Sequence, residues 1–148
     1  LRENRKNKAM EDAVVKTVAG FLNTDGGTLL IGIGPDRSVV GLDHDYAVVT
    51  PGNGDGFVNW LTGLLVHAVG SVPVTRTRAR IVVHGDKEIC RVDVAASSAP
   101  VRAKTSKADH TFFVRLNNST RELPDGEVDA YLASRRPSPA SPQRATDS

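Results

Sequence analysis

Val14, Val15, Val18, Phe21 and Leu22 recur at the spacing of three and four that gathers side chains on one face of a helix. Glu11 and Asp12 stand where the positive end of such a helix favours acids, so the pattern predicts a helix from about residue 10 to Leu22. It breaks at Asn23-Thr24-Asp25-Gly26-Gly27 and turns at once into strand formers, Thr28-Leu29-Leu30-Ile31-Gly32-Ile33. Two successive glycines can take φ > 0 or admit a second backbone closely, and asparagine is the next most tolerant residue at a left-handed helix cap. The corner formed by Asn23, Thr24, Gly26 and Gly27 therefore reads as architectural, a tight helix-to-strand reversal.

Gly34-Pro35-Asp36-Arg37-Ser38 is a turn, and the strands on either side of it are expected to pair as a hairpin. A loop from Asp43 to Asp55 leads to Phe57, Trp60, Leu61, Leu64, Leu65 and Ala68, which share one face of a second helix ending near Gly70. Alternation then takes over in Val74 to Val83 and Lys87 to Val94, around the two-residue turn Gly85-Asp86. Ala95 to Asp109 reads as loop, His110 to Leu116 as strand, and Gly126 to Arg135 as a short last helix. The Pro/Ser-rich run that follows cannot build a core, which sets a single domain over 1–135 and a flexible tail over 136–148.

The Gly85-Asp86 turn fixes a register in which His84 faces Lys87, Val82 faces Ile89, Arg80 faces Arg91 and Arg78 faces Asp93. Ala79, Ile81, Val92 and Val94 fall on the opposite, core-facing side, along with Glu88 near the turn. The outer side carries Arg76, Arg78, Arg80 and Arg91. Like charges directly opposite one another are unfavourable, so Arg80 against Arg91 points to an anion nearby; the alternative is a solvated face covered by arginine stems.

The 148 residues, 39% hydrophobic and 24% charged, suit one soluble domain with one core. A net charge of +2 is too small to identify a partner, and the distribution of basic residues matters more. Arg2, Arg5, Lys6 and Lys8 crowd the start, and Arg102, Lys104 and Lys107 precede the strand ending near Arg115. Convergence of these with the hairpin would make a groove for a phosphate backbone. Aromatic residues are only 5% of the chain, which favours phosphate contacts over stacked bases. No run is long and apolar enough to span a membrane and no signal peptide is visible, so the expected location is cytoplasmic. The lone Cys90 lies in a strand and is expected to be a buried, inert thiol. The four histidines show no metal-ligand spacing, and Gly52-Asn53-Gly54-Asp55-Gly56 lacks the Lys-Ser/Thr pair of a P-loop, so it reads as a loop and helix cap.

Phe21-Leu22-Asn23-Thr24-Asp25-Gly26-Gly27-Thr28-Leu29-Leu30-Ile31-Gly32-Ile33, followed by Val39-Val40-Gly41-Leu42, resembles the signature of the Schlafen-type AlbA-like nucleic-acid-binding domain. Far downstream, Phe112-Phe113-Val114-Arg115-Leu116-Asn117-Asn118-Ser119-Thr120-Arg121-Glu122-Leu123 is similar to its closing segment, a strand leading through a Ser-Thr turn into a last helix. The likeness spans roughly residues 3 to 134. It implies an α+β domain with a mostly antiparallel sheet covered by helices, and a nucleic-acid partner, RNA or structured DNA, recognised by phosphate charge and shape. The binding residues expected are Arg76, Arg78, Arg80 and Arg91 of the hairpin, with Arg102, Lys104, Arg115 and Arg121. Since the chain starts at Leu1 rather than Met, it is expected to belong to a larger or oligomeric protein.

Some relatives of this type are metal-dependent endoribonucleases that hold Mg²⁺ or Mn²⁺ on three carboxylates. Here Glu3 matches only one of two glutamates, and Gly34 stands at the aspartate position with Asp36 two residues on. The carboxylate set therefore reads as incomplete, with Glu3 and Asp36 the only candidates and no cofactor expected outside the nuclease alternative. A second alternative is a dimerising regulatory module. Relatives with two copies of this lobe pack them around a shared groove, so a symmetric homodimer is expected, away from the arginines and near Trp60.

Overall fold

A computed structural model describes the backbone of residues 2–135 and the side chains of residues 8–135; the tail read over 136–148 lies outside the described residues. The order of elements is α1 (Arg2–Leu22), β1 (Gly27–Ile31), α2 (Asp43–Tyr46), α3 (Gly54–Val69), α4 (Ser71–Val74), β2 (Thr77–His84), β3 (Lys87–Val94), β4 (Arg102–Ala103), β5 (Thr111–Leu116), β6 (Ser119–Leu123) and α5 (Asp125–Arg135). The α+β class holds, with two separate antiparallel sheets of three strands, ordered β1-β3-β2 and β4-β5-β6.

The main core lies under the first sheet. Val15, Val18 and Leu22 of α1 meet Phe57, Leu61 and Leu65 of α3 beneath Cys90, Val92 and Val94 of β3, all nearly or fully inaccessible. Asn53 starts α3 as a cap, its side-chain oxygen accepting from Gly56 N–H at 3.1 Å, and Gly70 ends it at φ 94°. The second sheet has both faces covered. Phe113 points into the main core, while Phe112 and Val114 pack with Val128 of α5 in a smaller cluster.

The fold departs from the pattern read along the chain in several places, among them Val74, which ends α4 while the strand read from it starts only at Thr77. Helix α1 extends back to Arg2 rather than starting near residue 10, through a polar stretch that carries no apolar periodicity. The expected loops contain α2 and the short strand β4. The Ser-Thr turn is instead strand β6, entered through a turn at Asn117, whose φ is 56°. The turn at Gly34–Ser38 brings its flanks together at a single bridge, Ile33 to Val39, rather than as a full hairpin.

Burial pushes the Cys90 thiol up to about 11 by disfavouring the charged thiolate. Native protein at pH 8 is therefore expected to resist a thiol reagent that labels it at once in urea. Rapid native labelling at one equivalent would contradict an inert Cys90.

Candidate nucleic-acid interface

The β2–β3 register is the one set by the two-residue turn, from His84 against Lys87 to Thr77 against Val94. Glu88, the one acid on the core-facing side, accepts a hydrogen bond from Tyr46 Oη at 2.7 Å. On the outer side β1 adds Thr28 opposite Asp93 and Leu30 opposite Arg91. Arg78 and Arg80 are exposed there, as are Thr28 and Leu30, so this part of the sheet faces outward. Ile89, on the same side but near the turn, is buried against Gly32.

The anion expected beside the opposed Arg80 and Arg91 is present within the fold, where among the described residues it pairs with Arg91 alone. Arg91 Nε donates to Asp93 Oδ1 at 3.0 Å and to Oδ2 at 3.2 Å, and Thr28 Oγ1 donates to Oδ1 at 2.8 Å. The Thr28 hydrogen bond, then the Arg91 hydrogen bond and the charges of Arg91 and Arg80, hold the Asp93 carboxyl below its usual range. The opposed arginines are thus no sign of an external ligand, because Asp93 lies two residues from Arg91 on the same face. Arg76, Arg78 and Arg80 make no side-chain hydrogen bond or ion pair among the described residues.

Arg2, Arg5 and Lys6 have side chains outside the described residues, and the basic residues described beyond the hairpin do not join this face into one groove. Arg102 donates to His110 O at 3.1 Å and to Asp125 at 3.2 Å, with its guanidinium over Phe112. Lys104 borders a separate depression shared with Lys8, His67 and Ser106. Arg115 donates to Thr120 Oγ1 at 2.8 Å and stacks on Phe21, and Arg121 reaches Ser119 Oγ at 3.4 Å. Phe112 and Phe113 are both buried, so neither offers a stacking platform.

The corner is held by side-chain and backbone polar groups together. Asn23 Nδ2 donates to Val101 O and Phe113 O, both at 2.8 Å, and its Oδ1 accepts from Val101 N–H at 2.9 Å. Thr24 Oγ1 donates to Gly20 O at 2.7 Å and accepts from Arg115 N–H at 2.9 Å. Gly26 has φ 77°, and a Cβ there would stand 2.5 Å from Val94 O. At Gly27 a Cβ would run into the Phe21 ring. From α5, Tyr131 Oη donates to Asn23 O at 2.6 Å and Arg135 to Thr24 O at 2.7 Å.

Of the two acids considered for metal binding, Glu3 lies on α1 with its side chain outside the described residues. Asp36 accepts from Ser38 N–H at 3.1 Å and Ser38 Oγ at 2.6 Å, which lowers its carboxyl pKa. Among the described residues no three His, Cys, Asp or Glu side chains gather as a metal site, and no helix is long and apolar enough to cross a membrane. Trp60 is half-buried and packs on Phe57 at a ring distance of 5.4 Å, which engages it with the main core.

An α+β domain with an exposed arginine-bearing sheet face is the architecture, and the sequence family agrees with it. The Schlafen AlbA_2 family model matches residues 1–124, and the chain belongs to that family. Membership associates it with nucleic acids in general. No curated protein matches the chain. Among solved structures it is similar to the DIP2311 protein of Corynebacterium diphtheriae, with a TM-score of 0.60 and 17% identity over 88% of this chain and 20% of that one. At that identity the likeness carries the fold alone. The chain spans about a fifth of the length of that protein.

Proposed function

We propose that this domain binds nucleic acid, RNA or structured DNA, through phosphate charge and shape, as a cytoplasmic unit of a larger or oligomeric protein. The observation that carries the reading is the exposed face of the β1-β3-β2 sheet, where Arg78 and Arg80 stand without a partner among the described residues in a chain of the Schlafen AlbA_2 family. Unpaired guanidinium groups on an open, twisted surface suit a phosphate backbone, which they contact without reading bases. Arg91 contributes less, because Asp93 already occupies it.

The test is a binding titration with tRNA, duplex DNA and single strands over a range of salt. For about four to six neutralised phosphates, log K should fall against log salt with a slope of roughly −3 to −5. Binding that ignores salt would overturn the reading. Mn²⁺ is expected to leave bound RNA intact, since Asp36 is engaged by Ser38. Mn²⁺-dependent cleavage that disappears in Asp36→Asn would replace binding with the nuclease alternative. Self-association, the third part of the reading, is decided by light scattering with and without ligand; a monomeric mass in both removes it.

A further inference from the structure

Beside the arginine face, three depressions adjoin in series, two of them against the segment Ser97-Ser98-Ala99. One, of about 420 Å³, lies between that segment, Asn23 and the α5 residues Leu132 and Arg135. A second, also about 420 Å³, shares Ser97, Ser98 and Ala99 and reaches Thr75 and Arg76. A third, about 630 Å³, shares Thr75 and Arg76 and opens onto Thr28, Arg78 and Asp93 of the sheet face. Sharing these residues, the depressions follow one another as a furrow in three stretches from α5 to the arginine face.

The furrow's free charge is cationic, set among serines and threonines and apolar side chains such as Leu132, Pro100, Val72 and Pro73. Arg76 and Arg78 have no side-chain partner among the described residues, and Ser98 is exposed with its hydroxyl likewise unpartnered. Both acids near it are already matched. Asp93 is held by Thr28 and Arg91, and Asp25 meets Arg135 at 3.3 Å on the rim. No aromatic ring lines any of the three depressions. Such a lining favours a chain of phosphates and offers no platform for stacked bases.

We propose that the furrow takes a single-stranded extension of the nucleic acid whose structured part lies on the arginine face, so that the preferred ligand is a duplex or hairpin with an overhang. This rests on the proposed function, because Arg78 belongs to both surfaces. A duplex covers the open face. The stretch beyond Arg78 takes one strand, whose phosphates meet Arg76 and then Ser98, Arg135 being already held by Asp25 and Thr24 O.

The test compares a blunt hairpin with the same hairpin bearing a single-stranded overhang, in separate ribo- and deoxyribonucleotide versions, against the native chain, Ala99→Glu and Arg76→Ala. Ala99 is exposed, so Ala99→Glu places a negative charge in the furrow wall without disturbing the core; thermal melting checks that each variant folds. For the native chain the overhang should tighten binding about tenfold near 0.1 M salt, as expected for one to two added single-strand phosphate contacts. In both variants that advantage should fall to about unity. Equal advantage in the ribo and deoxyribo versions assigns the contact to phosphate, and an advantage confined to the ribo version assigns the strand as RNA; either supports the furrow. Tight blunt-hairpin binding with no gain from the overhang would overturn the furrow and leave the arginine face standing. A gain that survives both variants would also overturn it. Failure to bind either hairpin would remove both readings.

Discussion

Replacing Asn23 by alanine is expected to destabilise the domain by about 3 to 5 kcal/mol, the largest effect of any polar substitution considered for this chain. The side chain is buried and makes three hydrogen bonds to backbone groups from two other segments. Its removal strands Val101 N–H, Val101 C=O and Phe113 C=O, and a buried group without a partner costs roughly 1–3 kcal/mol. Asn23→Asp keeps the shape but turns the Nδ2 donor into an acceptor aimed at two carbonyl oxygens, so it too should be strongly destabilising. Urea unfolding measures both. A loss below about 1 kcal/mol in each would show that Asn23 only fills space.

The second large effect concerns the sheet face. Arg78→Ala with Arg80→Ala should weaken nucleic-acid binding by about a hundredfold at 0.1 M salt and flatten the salt slope by nearly two, since each lost phosphate contact accounts for about 0.9 of slope on duplex DNA. Arg91→Ala should change affinity far less, because its guanidinium is already matched by Asp93. Asp93→Asn should tighten binding by releasing Arg91 to the ligand. The signs separate this reading from a simple count of arginines, in which Arg78, Arg80 and Arg91 would be equivalent. Equal losses at all three positions, with no gain in Asp93→Asn, would refute it.

Acid acts on the same network. Asp93 titrates below its unfolded value in the fold, so the stability it contributes is present above the ordinary aspartate range and is lost as pH falls through the lowered value.

Much of this was legible in the residues because it is local. A two-residue turn fixes its own register, so the β2–β3 pairing could be counted outward from Gly85 and Asp86. The glycine corner announced itself through residue type, and the α3 face through its period. What stayed hidden is either polar or distant in sequence. Strand β6, Ser119 to Leu123, has no apolar alternation, and its pairing with β5 comes from backbone bonds that residue type does not record. The pairing of β1 with β3 joins segments some 60 residues apart, and it brings Thr28 to Asp93. The i, i+2 relation of Arg91 and Asp93 was in plain view, and same-face strand spacing would have found that ion pair. Arg135 and Ser98 could not be found this way, since the place of Ser98 between Arg135 and Arg76 depends on where α5 and the segment after β3 come to rest.

Asn23 and Thr24 tie together parts that are distant in sequence. Through them α1, the segment before β4, strand β5 and helix α5 share one set of hydrogen bonds. The sheet that bears the arginines begins three residues beyond Thr24, at Gly27, and the furrow has Asn23 and Arg135 in its lining. Their separation is therefore set before any ligand arrives. A polyanion long enough to touch both would find the backbone in place and would have only side chains such as Arg76 and Arg78 left to order.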